Sequence, residues 1–293
     1  GFITESGYTF SIKAPKHASR EQVEYISDYI QNVEDLIEAG DERCWDYIDI
    51  DSFVKRFLID EISLDVDANI TSMYFYKDKD SDILYAGPAW DYNIAFGECN
   101  GGWAEGIGVW YEGSVNNPYR TDRLEWVTLL YEQPVFQDKM KEHFIEVLPY
   151  MEWLLEEGID QYERRIEASL NMETVRWSQE CPEGEKVWNF QDYKNNIRYL
   201  KFFIANRLNC LIDRWDIPHE KFEFAGNGTM HTVTYVQEEN VISTQMIMDG
   251  EVIEELPYLD EEIYHGWYYT YSTQKSRPYI PVLEDCTLFA RKK

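Results

Sequence analysis

Apolar positions in the first three quarters of the chain recur mainly at helical spacing. From Ser19 onward they fall three or four residues apart, which predicts a first helix. Ser19 and Gln22 have the pattern of a capping box at its start. The same spacing predicts a second helix from about Asp51 and further helices within 122–171 and 190–215. This part of the chain is therefore predicted to be mostly helical.

Alternating apolar and polar positions predict strands near the start of the chain and again before residue 90. Residues 2–13 suggest short strands, and 72–77 and 83–86 flank a polar turn, which predicts a β-hairpin. The turn contains three aspartates, Asp78, Asp80 and Asp82. They resemble the start of a calcium loop, but the motif's glycine and closing glutamate are missing, which favours a solvated turn.

The pattern changes after Pro218, a residue type that helices do not continue through. From there to the end of the chain the sequence alternates like strands and has no long helical stretch. We place a domain boundary near 218–228. The sequence thus predicts an α+β protein, with a mostly helical domain over 1–220 and a small β-rich module over 226–293.

The charge balance limits the partners that this surface attracts. The 293 residues include 27 Lys+Arg and 55 Asp+Glu, for a formal net charge of −28. Such a surface repels the phosphates of nucleic acids and anionic lipids, so we expect no nucleic-acid partner. No apolar run approaches the ~20 residues that span a bilayer, so we expect no membrane insertion. The five cysteines are scattered without a CxxC pair, which indicates free thiols or core residues.

The predicted hairpin is framed by acids. Asp67 precedes it and Asp91 follows it in Trp90-Asp91-Tyr92-Asn93. A hairpin brings its two ends together, and converging carboxylates repel each other unless a cation lies between them. Mg²⁺ or Mn²⁺ suits such an oxygen-rich site. The alternative is structural: Asp67 caps a turn, and Asp91 is the acid of an Asx turn after a Gly-Pro pair.

Protein kinases use the same order of elements, since a catalytic-loop Asp precedes a short hairpin and a metal-binding Asp follows it. Their loop carries a second metal ligand, an Asn, five residues after the catalytic Asp. Here that position is Ser72, and Asn69 is the nearer candidate. The agreement is therefore in the order of elements rather than in the literal motif.

The stretch DSFVKRFLIDEISLDVDANITSMYFYKDKDSDILYAGPAWDYNIAFG resembles the core signature of the CotH family. These are secreted or spore-coat proteins with an atypical kinase fold, and the family includes kinases that phosphorylate protein. The resemblance covers roughly 1–217. It is carried by Glu61, Asp65-Val66-Asp67, Tyr74-Phe75-Tyr76 and Pro88-Ala89-Trp90-Asp91-Tyr92-Asn93.

The resemblance implies specific roles for residues around the hairpin. Asp67 would orient the acceptor hydroxyl, and Asp91 would hold Mg²⁺ or Mn²⁺ on the phosphates of ATP. Asn93 and Asn69 would be further metal ligands. Trp90 would shape the wall of the nucleotide pocket, or else be a core tryptophan. Two positions depart from the family pattern, because Asp65 replaces an Asn and Asn93 replaces an Asp.

By the same resemblance this chain corresponds to the C-terminal lobe of the kinase fold. The basic residue and the lid that cover the nucleotide would come from an N-terminal lobe that is largely missing here, and Lys13 would lie on the wrong side of the hinge. We therefore expect phosphoryl transfer from ATP to a Ser or Thr of a protein substrate, with little activity from this chain alone. The alternative is a non-catalytic surface, adhesion or spore-coat assembly protein on a degenerate kinase fold.

The C-terminal part, 231–293, resembles the Listeria–Bacteroides repeat, an internalin-B-type β-grasp module of bacterial surface proteins. The residues that carry the resemblance are Val233-Thr234-Tyr235, Asp249-Gly250, Leu256-Pro257, Gly266-Trp267 and Thr287-Leu288-Phe289-Ala290. We expect a small core of Val233, Tyr235, Leu256, Trp267 and Leu288. The resemblance implies a secreted or cell-surface location and a surface partner.

Overall fold

A computed structural model describes residues 1–65, 68–69, 71–93, 95–96, 124–177, 193–269 and 281–293. The fold mixes helices and sheets, so the predicted α+β class is confirmed. The helices are α1 (Arg20–Glu38), α2 (Ile50–Ser63), α3 (Trp126–Tyr131), α4 (Pro134–Trp153), α5 (Ile159–Trp177) and α6 (Tyr193–Trp215). The strands are β1 (Phe2–Ile3), β2 (Thr9–Phe10), β3 (Phe75–Lys77), β4 (Leu84–Ala86), β5 (Met230–Gln237), β6 (Asn240–Met248), β7 (Tyr264–Tyr269) and β8 (Cys286–Lys292).

Helix α1 begins with the predicted capping box. The Ser19 hydroxyl accepts from the Gln22 amide at 3.3 Å, and the Gln22 side chain accepts from the Ser19 amide at 2.9 Å. These two bonds satisfy first-turn donors that have no partner within the helix. The predicted apolar face is also confirmed, because Ile30, Val33 and Ile37 are buried.

The long helical pattern over 122–171 is divided in the structure. Helix α3 ends at Tyr131, and α4 begins with Pro134, a residue that suits a first helical position because its missing N–H would have no partner there. A second proline, Pro149, lies inside α4 and removes one helical hydrogen bond. A π-helical turn over Leu154–Gly158 then joins α4 to α5. Sequence periodicity detects the helices but not these interruptions.

The short β3–β4 hairpin is anchored to the start of α2. Phe75 pairs with Ala86 and Lys77 with Leu84 in antiparallel register. On its other side Leu84 exchanges main-chain bonds with the segment before α2, and the Ala86 amide donates to the Ser52 hydroxyl at 3.1 Å. The predicted hairpin is therefore confirmed, and α2 fixes its position.

The C-terminal strands form a four-stranded sheet in the order β6-β5-β8-β7. The central pair β5 and β8 is parallel, and both outer pairs are antiparallel. The predicted core residues Val233, Tyr235, Trp267 and Leu288 are buried. The prediction for Leu256 is wrong, because its side chain is 37% exposed. The strand pattern does not continue into this connection, and the core is completed by Ile253 and Val282.

The fold divides into two compact units that are each discontinuous in sequence. One comprises the described parts of Gly1–Glu61, Asp67–Tyr92 and Glu112–Glu146, and the other those of Ile62–Val66, Asn93–Tyr111 and Val147–Lys293. The domain boundary near 218–228 stays a prediction. Among the described residues, no helix has the length and apolar character needed to cross a bilayer.

Candidate functional site

The hairpin brings the chain back on itself beside Asp91. The Gly87 amide donates to the Tyr74 carbonyl at 2.8 Å, which extends the pairing beyond β4. Asp91 lies four residues after Gly87, and its carboxylate accepts a hydrogen bond from the Ser72 hydroxyl at 3.1 Å. The two flanks of the hairpin therefore meet at Asp91. Asp67, the predicted catalytic acid, lies outside the described residues.

The backbone around this site repeatedly adopts the left-handed conformation. Outside glycine this conformation is strained, and it costs of order 1–3 kcal/mol where the surroundings impose it. Asn and Asp tolerate it best among the other residue types. Strain of this kind concentrates at functional sites, where precise placement of a group outweighs local stability. The residues are Asn69 (φ 65°), Ser72 (55°) and Asp91 (69°).

A buried ion pair on α2 supports the segment that carries Asp91. The Arg56 Nε lies 2.9 Å from Asp60 Oδ1, and both side chains are 4% exposed. The Tyr92 hydroxyl donates to the same carboxylate at 2.7 Å, and its ring lies 5.4 Å from the Arg56 guanidinium. An Arg56 Nη1 also makes a long 3.5 Å contact with the Pro88 carbonyl. The residues on both sides of Asp91 are thus tied to α2.

Sequence reasoning missed this support. Arg56 and Asp60 are four residues apart on a helix, a spacing that places their side chains together, but most such pairs lie on the solvated face. The one sequence signal for this support was Tyr92, directly after Asp91, because its hydroxyl can donate to a buried carboxylate. Burial raises the pKa of Asp60, and the neighbouring Arg56 and Tyr92 hydroxyl oppose that rise.

Asn69 combines burial with an unused acceptor. Its side chain is 3% exposed, and its main-chain carbonyl accepts from the Leu124 amide at 2.6 Å. Among the described residues its Oδ1 has no hydrogen-bond partner. A buried acceptor left unpaired costs about 1–3 kcal/mol, so such an atom indicates a ligand or other unseen partner. A carboxylate from Asp91 and an amide oxygen from Asn69 are the donor types that Mg²⁺ and Mn²⁺ prefer.

Trp90 lies on the surface rather than in the core. Its side chain is 56% exposed, and its ring packs edge-on against Tyr74 with centroids 6.1 Å apart. The alternative that Trp90 is a core tryptophan is therefore wrong, while its role beside a nucleotide stays a prediction. Asn93 is exposed as well, and its role as a metal ligand stays a prediction.

Other candidate chemistry is limited in the part of the chain that the structure describes. There, no group of three or more His, Cys, Asp or Glu side chains is placed to hold a metal ion. Burial raises the pKa of Cys44 to about 11 and that of Cys286 to about 12, so both thiols stay protonated and unreactive near neutral pH. Asp80 in the hairpin turn has a left-handed φ of 62°, and the Ser81 amide donates to the Asp78 carbonyl, as in a polar turn.

Comparison with protein families gives one finding. The family described as CotH kinase protein matches residues 3–211, which is more than two thirds of the chain. No curated protein and no solved structure gives a significant match. The match spans α1 and α2, the hairpin, the Asp91 segment and most of α6. This chain belongs to the CotH kinase protein family.

Proposed function

We propose that this protein is a metal-dependent phosphotransferase of the CotH type, acting on Ser or Thr hydroxyls of a protein with ATP as donor. The observation that carries the proposal is the placement of Asp91, in a left-handed conformation at the hairpin's end and hydrogen-bonded by Ser72. The buried Asn69 Oδ1 has no hydrogen-bond partner among the described residues, and it would supply a further oxygen ligand for a cation. A bound Mg²⁺ or Mn²⁺ would neutralise charge on the ATP phosphates.

In this proposal the chain's own residues do three things. Asp91 and Asn69 hold the cation with oxygen ligands, while Asn93 stays a prediction from the resemblance. Asp67 orients the acceptor hydroxyl and accepts its proton as the bond from the γ-phosphorus to ADP breaks and the new phosphorus–oxygen bond forms. The Arg56–Asp60 pair acts through Tyr92 to keep Asp91 in place. Trp90, exposed beside Asp91, is suited to line the nucleotide pocket.

A second candidate is a non-catalytic surface or spore-coat assembly protein on the same fold. Two residues favour it, since Asn93 brings no charge to a position where the family pattern has an Asp, and Asp65 replaces an Asn. Under this reading, the hairpin site would be a remnant that binds no nucleotide.

The C-terminal sheet supports a finer proposal, that this region is a β-grasp-like module of the Listeria–Bacteroides type on a secreted or surface protein. The first and last strands, β5 and β8, are parallel neighbours at the centre, and the flanking strands are antiparallel, an arrangement found in β-grasp folds. Family matching supports only residues 3–211, so this part of the proposal rests on the resemblance and the strand order.

The proposal is tested by transfer of radiolabelled phosphate from ATP to a protein in the presence of Mg²⁺ or Mn²⁺. We expect incorporation that disappears in Asp67→Ala and falls at least ~100-fold in Asp91→Asn, because transfer depends on positioned charge. Asp80→Asn is the matched control, an exposed aspartate with φ 62° in the same hairpin. No incorporation, and no metal-dependent binding of ATP, would leave the non-catalytic reading.

A further inference from the structure

Strand β6 is an edge strand of unusual composition. Among the described residues only β5 pairs with it, so its other edge carries main-chain donors and acceptors without a strand partner. Its nine residues, Asn240–Met248, include no charged residue and no proline. Proteins normally protect edge strands with charged residues or proline, because an unprotected edge can pair with a further strand. Val241 and Met246 are also 63% and 58% exposed.

An open groove of about 980 Å³ runs along this edge. Three consecutive β6 residues, Gln245, Met246 and Ile247, line it. Successive residues of a strand point to opposite faces of a sheet, so a groove lined by all three follows the edge rather than one face. Phe202 and Asn206 of α6 also line the groove. The volume suits a short extended segment of chain.

The rim of the groove is acidic. Glu251, Glu254 and Glu255 line it and are exposed. The surrounding stretch 222–274 contains ten Asp and Glu residues and no Lys or Arg. The whole chain is acidic as well, with a net charge of −28. A second copy of the chain would bring the same negative charge to the groove, so charge complementarity favours a cationic occupant.

We propose that β6 is a docking edge for an extended, lysine- or arginine-bearing peptide segment of another protein. The segment adds to the sheet as a fifth strand through main-chain hydrogen bonds along Asn240–Met248. Its cationic side chains meet Glu251, Glu254 and Glu255, and its apolar side chains cover Met246. This site is independent of the hairpin site and of any phosphotransfer.

The test uses a fluorescein-labelled peptide of alternating lysine and valine, about eight residues long to match a strand. Its binding to the whole chain is followed by fluorescence anisotropy. One control peptide carries N-methyl groups on alternate amides, which keeps its charge but removes strand-pairing donors. Another replaces each lysine by glutamate. We expect the unmodified lysine peptide to bind at least about tenfold more tightly than either control.

Two matched variants separate the groove from the overall charge. The triple variant Glu251→Gln, Glu254→Gln, Glu255→Gln should weaken binding about tenfold, since three charge pairs are lost. The triple variant Asp260→Asn, Glu261→Gln, Glu262→Gln changes the net charge equally but lies outside the groove, and it should leave binding within about twofold.

Four results would overturn the proposal. These are the absence of binding, equal weakening by both triple variants, undiminished binding of the N-methylated peptide, and a stable dimer in sedimentation that the lysine peptide does not dissociate. The last result would assign the edge to a second copy of the chain.

Discussion

The hairpin site and the C-terminal sheet both contain a buried aspartate, but the two carboxylates are held in opposite ways. Asp60 beneath the hairpin is paired with Arg56, yet burial raises its pKa. Asp249 beside the sheet is also buried, but hydrogen bonds from Arg198, the Asn227 amide and His231 outweigh that burial and lower its pKa. The surroundings of Asp249 therefore favour the charged form of that acid, whereas burial disfavours the charged form of Asp60.

The same contrast appears in the backbone and the packing. The sheet core is apolar and regular, with Val233, Trp267 and Leu288 among its buried residues. The hairpin region instead has the left-handed residues Ser72 and Asp91, and an Asn69 acceptor that has no partner among the described residues. Strained groups often persist at functional sites. The sheet has left-handed residues too, but Glu238 and Glu239 lie in the turn between β5 and β6, outside the sheet core.

The largest expected effect is on the sheet core. Trp267→Ala should lower the free energy of unfolding of the sheet by about 3–5 kcal/mol, because it leaves a cavity where a buried ring packs edge-on against Tyr235. Urea unfolding followed by circular dichroism measures the change. Tyr258→Ala is the control, since that side chain is 87% exposed and its loss should change stability by less than about 0.5 kcal/mol. Equal effects of the two variants would contradict the assigned core.

The next effect sharpens the contrast between the two acids. Asp249→Asn should lower the free energy of unfolding by about 1–3 kcal/mol at neutral pH, because an amide replaces a buried carboxylate and accepts its hydrogen bonds less strongly. The pKa of Asp249 lies below its ordinary value of 3.8, so this stabilisation is present above that value and is lost as the pH falls through the folded-state pKa.

Asp60 should show the reverse dependence. Its pKa is raised above the ordinary value of 3.8. The contribution of Asp60 to folding stability is therefore fully present below pH 3.8 and is lost as the pH rises through the folded-state pKa. Relative to wild type, Asp60→Asn should therefore gain stability with rising pH, while Asp249→Asn should lose it. Urea unfolding of the three proteins at a series of pH values checks the signs, and parallel pH curves for the two variants would refute the contrast.

The smallest expected effect concerns the orientation of Asp91. Ser72→Gly keeps a residue that adopts the left-handed φ of 55° but removes the hydroxyl that donates to Asp91. We expect phosphate transfer to fall about threefold to tenfold, which corresponds to the net value of one hydrogen bond. The rate at saturating ATP and metal measures this loss. An unchanged rate would show that Ser72 does not orient the carboxylate.

The sequence predicted the elements that depend on local chemistry. The Ser19–Gln22 capping box, the apolar face of α1 and the hairpin all follow from short-range patterns, and all are confirmed. These features need no knowledge of distant parts of the chain.

The features that the sequence did not predict depend on long-range contacts. The link from Tyr92 to Asp60 joins residues 32 positions apart, so no local pattern reveals it. The β5–β6 turn was also missed, because Glu238 and Glu239 occupy left-handed positions that usually take Asn or Gly. Leu256 was assigned to the core from the alternation of a strand, but it lies in a connection between strands and is exposed.

We propose that Asp91 and Asn69 bind a cation at the end of the hairpin. The most direct test is a titration of the chain with Mn²⁺, in which electron paramagnetic resonance measures the free ion. We predict that the affinity for Mn²⁺ falls at least about tenfold in Asp91→Asn and in Asn69→Gly, and that it is unchanged in Asp80→Asn. Glycine is chosen at position 69 because it tolerates the left-handed φ of 65° there. Wild-type affinity for Mn²⁺ in Asp91→Asn would contradict the claim.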